Sequence, residues 1–269
     1  MSEQEILVEK RQRVLYITLN RPEKINALTV QMMEDLLSAV HAAEDDPEVG
    51  PIVIRGAGRG FCSGWDLTPS PERDRLGQLS IQNDINTMAR RSGRLGELWH
   101  LTKPIIAQVQ GYCLAGGTDL ALNCDIIIAA EDAQFGFPAV RSMGTPPTHM
   151  WTYLAGPQWA KRLLLTGDRI DGKTAARIGL VLEAVPAAEL EAHVSRLVGN
   201  MAKIPTDLLA QNKGICNKAV DLMGRTMLQQ LALESDAIAH KSPDAQEFNR
   251  VVREQGLKAG LAWQNEKFS

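Results

Sequence analysis

The 269 residues contain no apolar run approaching the eighteen or so that a membrane-spanning helix needs, so no membrane span is expected. An excess of one charge sign is also lacking. Twenty-nine Lys and Arg stand against 32 Asp and Glu, for a formal net charge of −3. That balance gives no electrostatic footprint for nucleic acid or an anionic membrane surface, so neither is an expected partner. Cysteine is sparse, and Cys62, Cys113, Cys124 and Cys216 form no CxxC pair. Zinc is not expected; reduced thiols in apolar surroundings, in a cytoplasmic protein, are. The first residues, MSEQEILVEKRQR, lack the apolar stretch of a secretory signal and support the same compartment. With 44% apolar residues, the chain reads as one main core with an appendage.

The most informative stretch is Lys103 to Ile128, KPIIAQVQGYCLAGGTDLALNCDIII. It combines an apolar extended run (Pro104 to Val109), a turn, the small-residue corner Ala115-Gly116-Gly117, and Asp119 on an apolar segment. A buried strand led through glycines into a helix leaves backbone N–H groups without acceptors at the helix start. Such donors can hold a developing negative oxygen. A corner that only lets two elements pack closely looks the same. The stretch Pro51 to Leu67, PIVIRGAGRGFCSGWDL, repeats the form. Two corners at the ends of buried strands can place one N–H apiece on a shared oxygen.

Elsewhere, Ile6–Val8 and Val14–Leu19 read as paired strands around a charged turn, Glu9–Arg13. Thr29 is the expected N-cap of a helix reaching about Glu44, with Met32, Met33, Leu36, Leu37 and Val40 on its buried face. Thr68–Gln82, polar and Pro-bearing, reads as a mobile loop over the site, and Ile85–Leu101 as one helix. A helix is expected to open at Thr145–Thr148, and Asp171 to cap another over Gly172–Ile178. From Glu189 onward the pattern is almost wholly helical, with Leu208, Ile215, Val220, Met223, Met227, Leu231 and Leu233 on apolar faces.

Five segments resemble the enoyl-CoA hydratase/isomerase (crotonase) superfamily in order and spacing. They are LNRPEKINAL (19–28), GRGFCSGWDL (58–67), KPIIAQVQGYCLAGGTDLALNCDI (103–126), AQFGFPAV (133–140) and LLLTGDRIDGKTAARIGLVLEAVP (163–186). The resemblance implies an α/β fold, a crotonase-like spiral of repeated strand-strand-helix units carrying the acyl-CoA site over residues 1–190. A C-terminal helical oligomerisation region, 191–269, would build a homotrimer or hexamer. Coenzyme A would enter as part of the substrate, with no permanently bound cofactor and no metal. An enolate or oxyanion would be held by the backbone N–H groups of Trp65 and Gly116. Coenzyme A contacts are implied at Arg21, Lys24 and Ala27, at Cys62, Ser63, Gly64, Asp66 and Leu67, and at Gly117. Trp263, Lys267 and Phe268 would lie toward the adenine end.

The chain departs from that pattern at its acid–base residues. Asp119 stands where the hydratases carry their first glutamate. Their second follows the proline of FGxPE, here Phe135-Gly136-Phe137-Pro138-Ala139. Neither Ala139 nor its neighbour Val140 can move a proton. Asp119 is then a base, a nucleophile or an electrostatic support, or else the counter-charge of a buried cation. Arg141, Ser142, His149 and Tyr153 are the polar residues downstream, and His149 and Arg141 the possible acid–base partners. The Trp65 ring either walls the acyl pocket or packs in the core. The expected function is an acyl-CoA enzyme with an altered acid–base pair. The alternatives are a CoA-ester hydrolase or isomerase on a non-standard acyl group, or a non-catalytic acyl-CoA-binding protein.

Overall fold

A computed structural model describes residues 4–268. Its main sheet has six strands in the order β1-β2-β3-β5-β7-β10: β1 Ile6–Arg11, β2 Val14–Leu19, β3 Ile52–Gly56, β5 Ile105–Val109, β7 Ile126–Ala130 and β10 Glu183–Val185. Only β1 and β2 are antiparallel; the other pairs are parallel. A second sheet orders β4 (Gly60–Cys62), β6 (Tyr112–Leu114), β8 (Gln134–Gly136) and β9 (Arg169–Asp171) side by side. Each long strand β3, β5 and β7 is followed at once by a short strand of the second sheet, which gives the strand-strand-helix spiral. The long strands read IVIRG, IIAQV and IIIAA because a parallel strand covered on both faces has little room for alternation.

The first hairpin is longer than expected. Glu9, Lys10 and Arg11 lie in β1, and the turn narrows to Gln12-Arg13 with Gln12 at φ 54. As an edge strand, β1 leaves these side chains to water and tolerates their charge. Helix α1 (Val30–Asp45) is capped as expected, the Thr29 hydroxyl accepting from the Met32 N–H. Its face of Met32, Met33, Leu36, Leu37 and Val40 is buried. The buried Lys103 ammonium donates to the Ala43 and Asp46 carbonyls, satisfying acceptors at the helix end.

Thr68–Gln82 is not a loop. It contains α2 (Pro71–Gly77), and α3 (Ile81–Arg90) starts within it. The residues that suggested a loop are helix starts: Ser70 accepts from the Arg73 N–H, Pro71 occupies the first turn, and Ser80 accepts from the Asn83 N–H. The single helix expected over Ile85–Leu101 is also divided. Arg91, at φ −114 and ψ −90, leaves helical geometry, and a 3-10 turn (Ser92–Gly96) separates α3 from α4 (Glu97–His100). After α5 (Gly116–Leu122), α6 (Trp151–Thr166) begins past Pro146 and Pro147 and kinks at Gly156-Pro157. Asp171 caps α7 (Gly172–Arg177) as expected, Oδ1 accepting from the Thr174 N–H at 2.8 Å.

The C-terminal helices are α8 (Leu190–Met201), α9 (Thr206–Leu222), α10 (Arg225–Ala239), α11 (Pro243–Gln255) and α12 (Leu257–Glu266). Helix α9 is anchored to the sheet end by Lys213 Nζ, 2.8 Å from Asp125, and by Asn217 donating to the Trp99 carbonyl. Helix α10 lies along α3. Leu208, Ile215, Met223 and Met227 remain exposed, while Val220 packs against the core. Among the described residues no helix is long and apolar enough to cross a membrane.

Candidate active site

The two glycine corners meet through their backbones. Gly117, in the first turn of α5, lies so close to the Cys62 carbonyl that any Cβ would collide with it. Ala115, just before α5, is held at φ 47 and ψ −122, a region that costs a residue with a Cβ of order 1–3 kcal/mol and tends to persist at functional sites. The first corner is fixed from its other side by the loop at residues 21–28. Leu28 N–H donates to the Gly64 carbonyl and Asp66 N–H to the Leu28 carbonyl, both at 2.8 Å. The Trp65 and Gly116 nitrogens come side by side as a result: a Cβ on Gly116 would stand 3.3 Å from the Trp65 nitrogen. Among the described residues neither N–H has an acceptor.

Both residues face a cavity of about 880 Å³, which Asp119 also lines. Asp119 is 1% exposed. Its Oδ1 accepts from the Thr148 hydroxyl at 2.9 Å, and its Oδ2 is buried without a partner. Burial pushes its carboxyl well above the usual range; the Thr148 hydrogen bonds pull the other way, and the Asp236 charge adds to the rise. No cation contacts it among the described residues. The buried Arg225 guanidinium stops at Asn123 Oδ1, 3.1 Å away, and the Asn123 amide donates to the Asp119 carbonyl and to Thr148. A direct counter-charge role for Asp119 is therefore not what the fold builds.

Ala139 lines the cavity with a methyl group, and the two proposed partners fare differently. Arg141 reaches the wall, but its Nε donates to the Thr166 carbonyl at 2.9 Å, a terminal nitrogen pairs with Asp168 at 3.2 Å, and its plane stacks on Phe268. His149 is not brought to the cavity. Its Nε2 sits 2.7 Å from the Thr152 hydroxyl at the start of α6, and burial lowers its pKa.

Lys24, Ala27, Ser63, Asp66 and Leu67 line the cavity. Arg21 stands behind it, donating to the Ala27 carbonyl at 2.7 Å and pairing with Asp66 at 2.8 Å. Lys24 reaches the same Asp66 oxygen at 3.1 Å. Burial would raise the Asp66 pKa, but the Thr68 hydroxyl and N–H, Arg21 and Lys24 outweigh it and hold the carboxylate well below its ordinary range. Cys62, Gly64 and Gly117 form the packed backing, with the Gly64 N–H donating to Cys62 Sγ. The Trp65 ring lines the cavity and also packs against the core, so the two readings of that side chain coincide.

Asp84, Asp236 and His240 also line the cavity and were not anticipated. A signal existed at Asp236: it is a carboxylate between buried Ala232 and Ala237, the same anomaly that singles out Asp119.

The family model described as enoyl-CoA hydratase/isomerase matches residues 9–258. The chain belongs to the enoyl-CoA hydratase/isomerase family. It is accordingly an enzyme of that family, with the crotonase fold. The "Probable enoyl-CoA hydratase echA8" of Mycobacterium tuberculosis is 34% identical over 225 residues, 82% of this chain and 84% of that protein. The crotonyl-CoA hydratase of Syntrophomonas wolfei is 33% identical over 247 residues, 88% of this chain and 89% of its own. The crystal structure of an enoyl-CoA hydratase from Mycobacterium smegmatis superposes with a TM-score of 0.93 at 37% identity, covering 98% of this chain and 94% of that one.

Proposed function

We propose that this family member acts on coenzyme A thioesters by stabilising an enolate on the thioester oxygen with the Trp65 and Gly116 N–H groups. The observation that carries the reading is the pair of adjacent N–H groups without acceptors among the described residues, on the wall of a cavity shared with a buried carboxyl. Donors fixed in advance in a water-poor site cost nothing to reorganise as charge develops, and each is worth roughly 3 kcal/mol by the cost of losing one. Asp119, buried with no cation beside it among the described residues, has its carboxyl pushed up by burial, which favours the protonated form, and it lines the cavity where it can exchange a proton with the acyl group.

Lys24 at the cavity rim offers a point charge to a coenzyme A phosphate. Ala27, Ser63 and Leu67 line the cavity alongside it, whereas Arg21 acts through Asp66. We further assign the exposed apolar residues Leu208, Ile215, Met223 and Met227 to the contacts of a homotrimer or hexamer, to be checked by light scattering. Titration calorimetry with crotonyl-CoA, octanoyl-CoA and acetoacetyl-CoA tests the central reading. Micromolar binding of at least one is expected, and folded protein that binds none overturns it.

A further inference from the structure

We propose that the Asp236 carboxylate is the second proton-transfer group of this site, in the role that Ala139 cannot fill, positioned by His240 and Asp84. The inference rests on the thioester reading above. Asp236 projects from α10 into the cavity that Asp119 lines, and it is 5% exposed. Its Oδ1 accepts the Thr145 N–H at 2.7 Å and lies 3.5 Å from His240 Nε2. The other ring nitrogen, Nδ1, is 2.9 Å from Asp84 Oδ2 on α3. Gly144 abuts the carboxylate with bare backbone, and any Cβ there would collide with Oδ1.

A clamp that only tied α10 to α3 would have no need to set its carboxyl on the wall of the cavity in which Asp119 Oδ2 lies buried without a partner. Asp84 and His240 also explain how Asp236 is aimed. Asp84 orients the ring, and the ring and the Thr145 N–H engage Oδ1, so Oδ2 is the oxygen assigned to the proton transfer. The charged groups acting on Asp236 are His240 and Asp84, and those acting on His240 are Asp84, Asp236 and Lys241. Burial pushes Asp236 up to about 6, against the pull of His240 and the Thr145 N–H, whereas Asp119 is pushed up with no cation to oppose it. The two carboxyls thus sit in unequal environments, one with His240 beside it and one with no cation in contact among the described residues, the asymmetry that separates the roles of an acid–base pair.

The step is a proton transfer. Asp236 Oδ2 takes a proton from the carbon next to the thioester carbonyl. The C–H electron pair moves into the enolate, whose oxygen accepts from the Trp65 and Gly116 N–H groups. Return of a proton to that carbon restores the thioester, so in D2O the net result is exchange of hydrogen for deuterium with no change of oxidation state.

The experiment follows deuterium entry into octanoyl-CoA by mass spectrometry. Wild-type exchange is expected to fall as pH drops through about 6. Asp236→Asn should slow it at least about 100-fold, with octanoyl-CoA affinity within about threefold. Asp236→Glu should recover part of the rate. His240→Gln removes the cation that lowers the Asp236 pKa, so its acid limb should move to higher pH, and this decides the matter if Asp236→Asn does not fold. Exchange by Asp236→Asn within threefold of wild type overturns the proposal. So does an unmoved limb in His240→Gln, or wild-type protein that binds octanoyl-CoA without exchanging it. Protein that binds no thioester overturns the functional reading, and the proposal with it.

Discussion

Converting Asp119 to Asn should stabilise the protein at neutral pH while removing most of its activity. The side chain is 1% exposed, accepts one hydroxyl hydrogen bond and touches no cation among the described residues. Its folded pKa is therefore raised above the ordinary 3.8, mainly by burial. Below that ordinary value both states are protonated and the group contributes no pH dependence. Above it, the unfolded chain releases a proton that the folded one keeps. Stability then falls by about 1.4 kcal/mol per pH unit until the folded pKa is reached. Asn keeps the shape and the acceptor for Thr148 but has no such slope. The melting temperature of Asp119→Asn should therefore equal that of the wild type near pH 4 and exceed it increasingly as the pH rises toward the folded pKa. The gain is on the order of 3–5 °C per pH unit at roughly 2–4 °C per kcal/mol. Calorimetric scans at pH 4, 5, 6 and 7 measure this, and deuterium exchange into octanoyl-CoA should drop about 10²–10⁴-fold. A variant less stable than wild type at pH 7 by roughly 3–5 kcal/mol would mean an ionised, paired carboxylate and would refute the reasoning. A folded variant with near-normal exchange would dispose of the catalytic role.

Hydration of crotonyl-CoA by Asp236→Asn should be slower than that of a two-glutamate hydratase by about 10²–10⁴-fold, because neither position 139 nor position 236 then supplies a second acid or base; a matching turnover number in a spectrophotometric assay would contradict this. Arg21→Met should cost roughly 2–3 kcal/mol in urea melts, since it removes a half-buried partner of Asp66. Because Arg21 stands behind the cavity, octanoyl-CoA affinity should stay within about threefold, and a larger loss would show direct contact. Lys213→Met should destabilise by roughly 3–5 kcal/mol, leaving Asp125 buried without its cation. Gly117→Ala should cost at least about 1–3 kcal/mol, because the Cys62 carbonyl it meets is backbone of the facing corner and cannot swing aside.

Much of the molecule was legible residue by residue because its signals are local. The Thr29 cap, the buried face of α1, the apolar runs of β3, β5 and β7 and the Asp171 cap depend on neighbours a few positions away. The same holds for the two glycine corners, where the backbone must pass close to something. Local signals failed where one residue type serves two ends: Ser70, Pro71 and Ser80 look like loop formers but begin helices. A helix face that lines a cavity also has no need of the apolar stripe by which helices are recognised. The acid–base question lay beyond local reach. Sequence alone established that Ala139 breaks the expected pair and that Asp119 is anomalous. Only the packing of α10 on α3, which brings Asp236 and His240 to the cavity of Asp119, decided what stands in the gap, because a carboxyl's burial and partners are set by residues far along the chain.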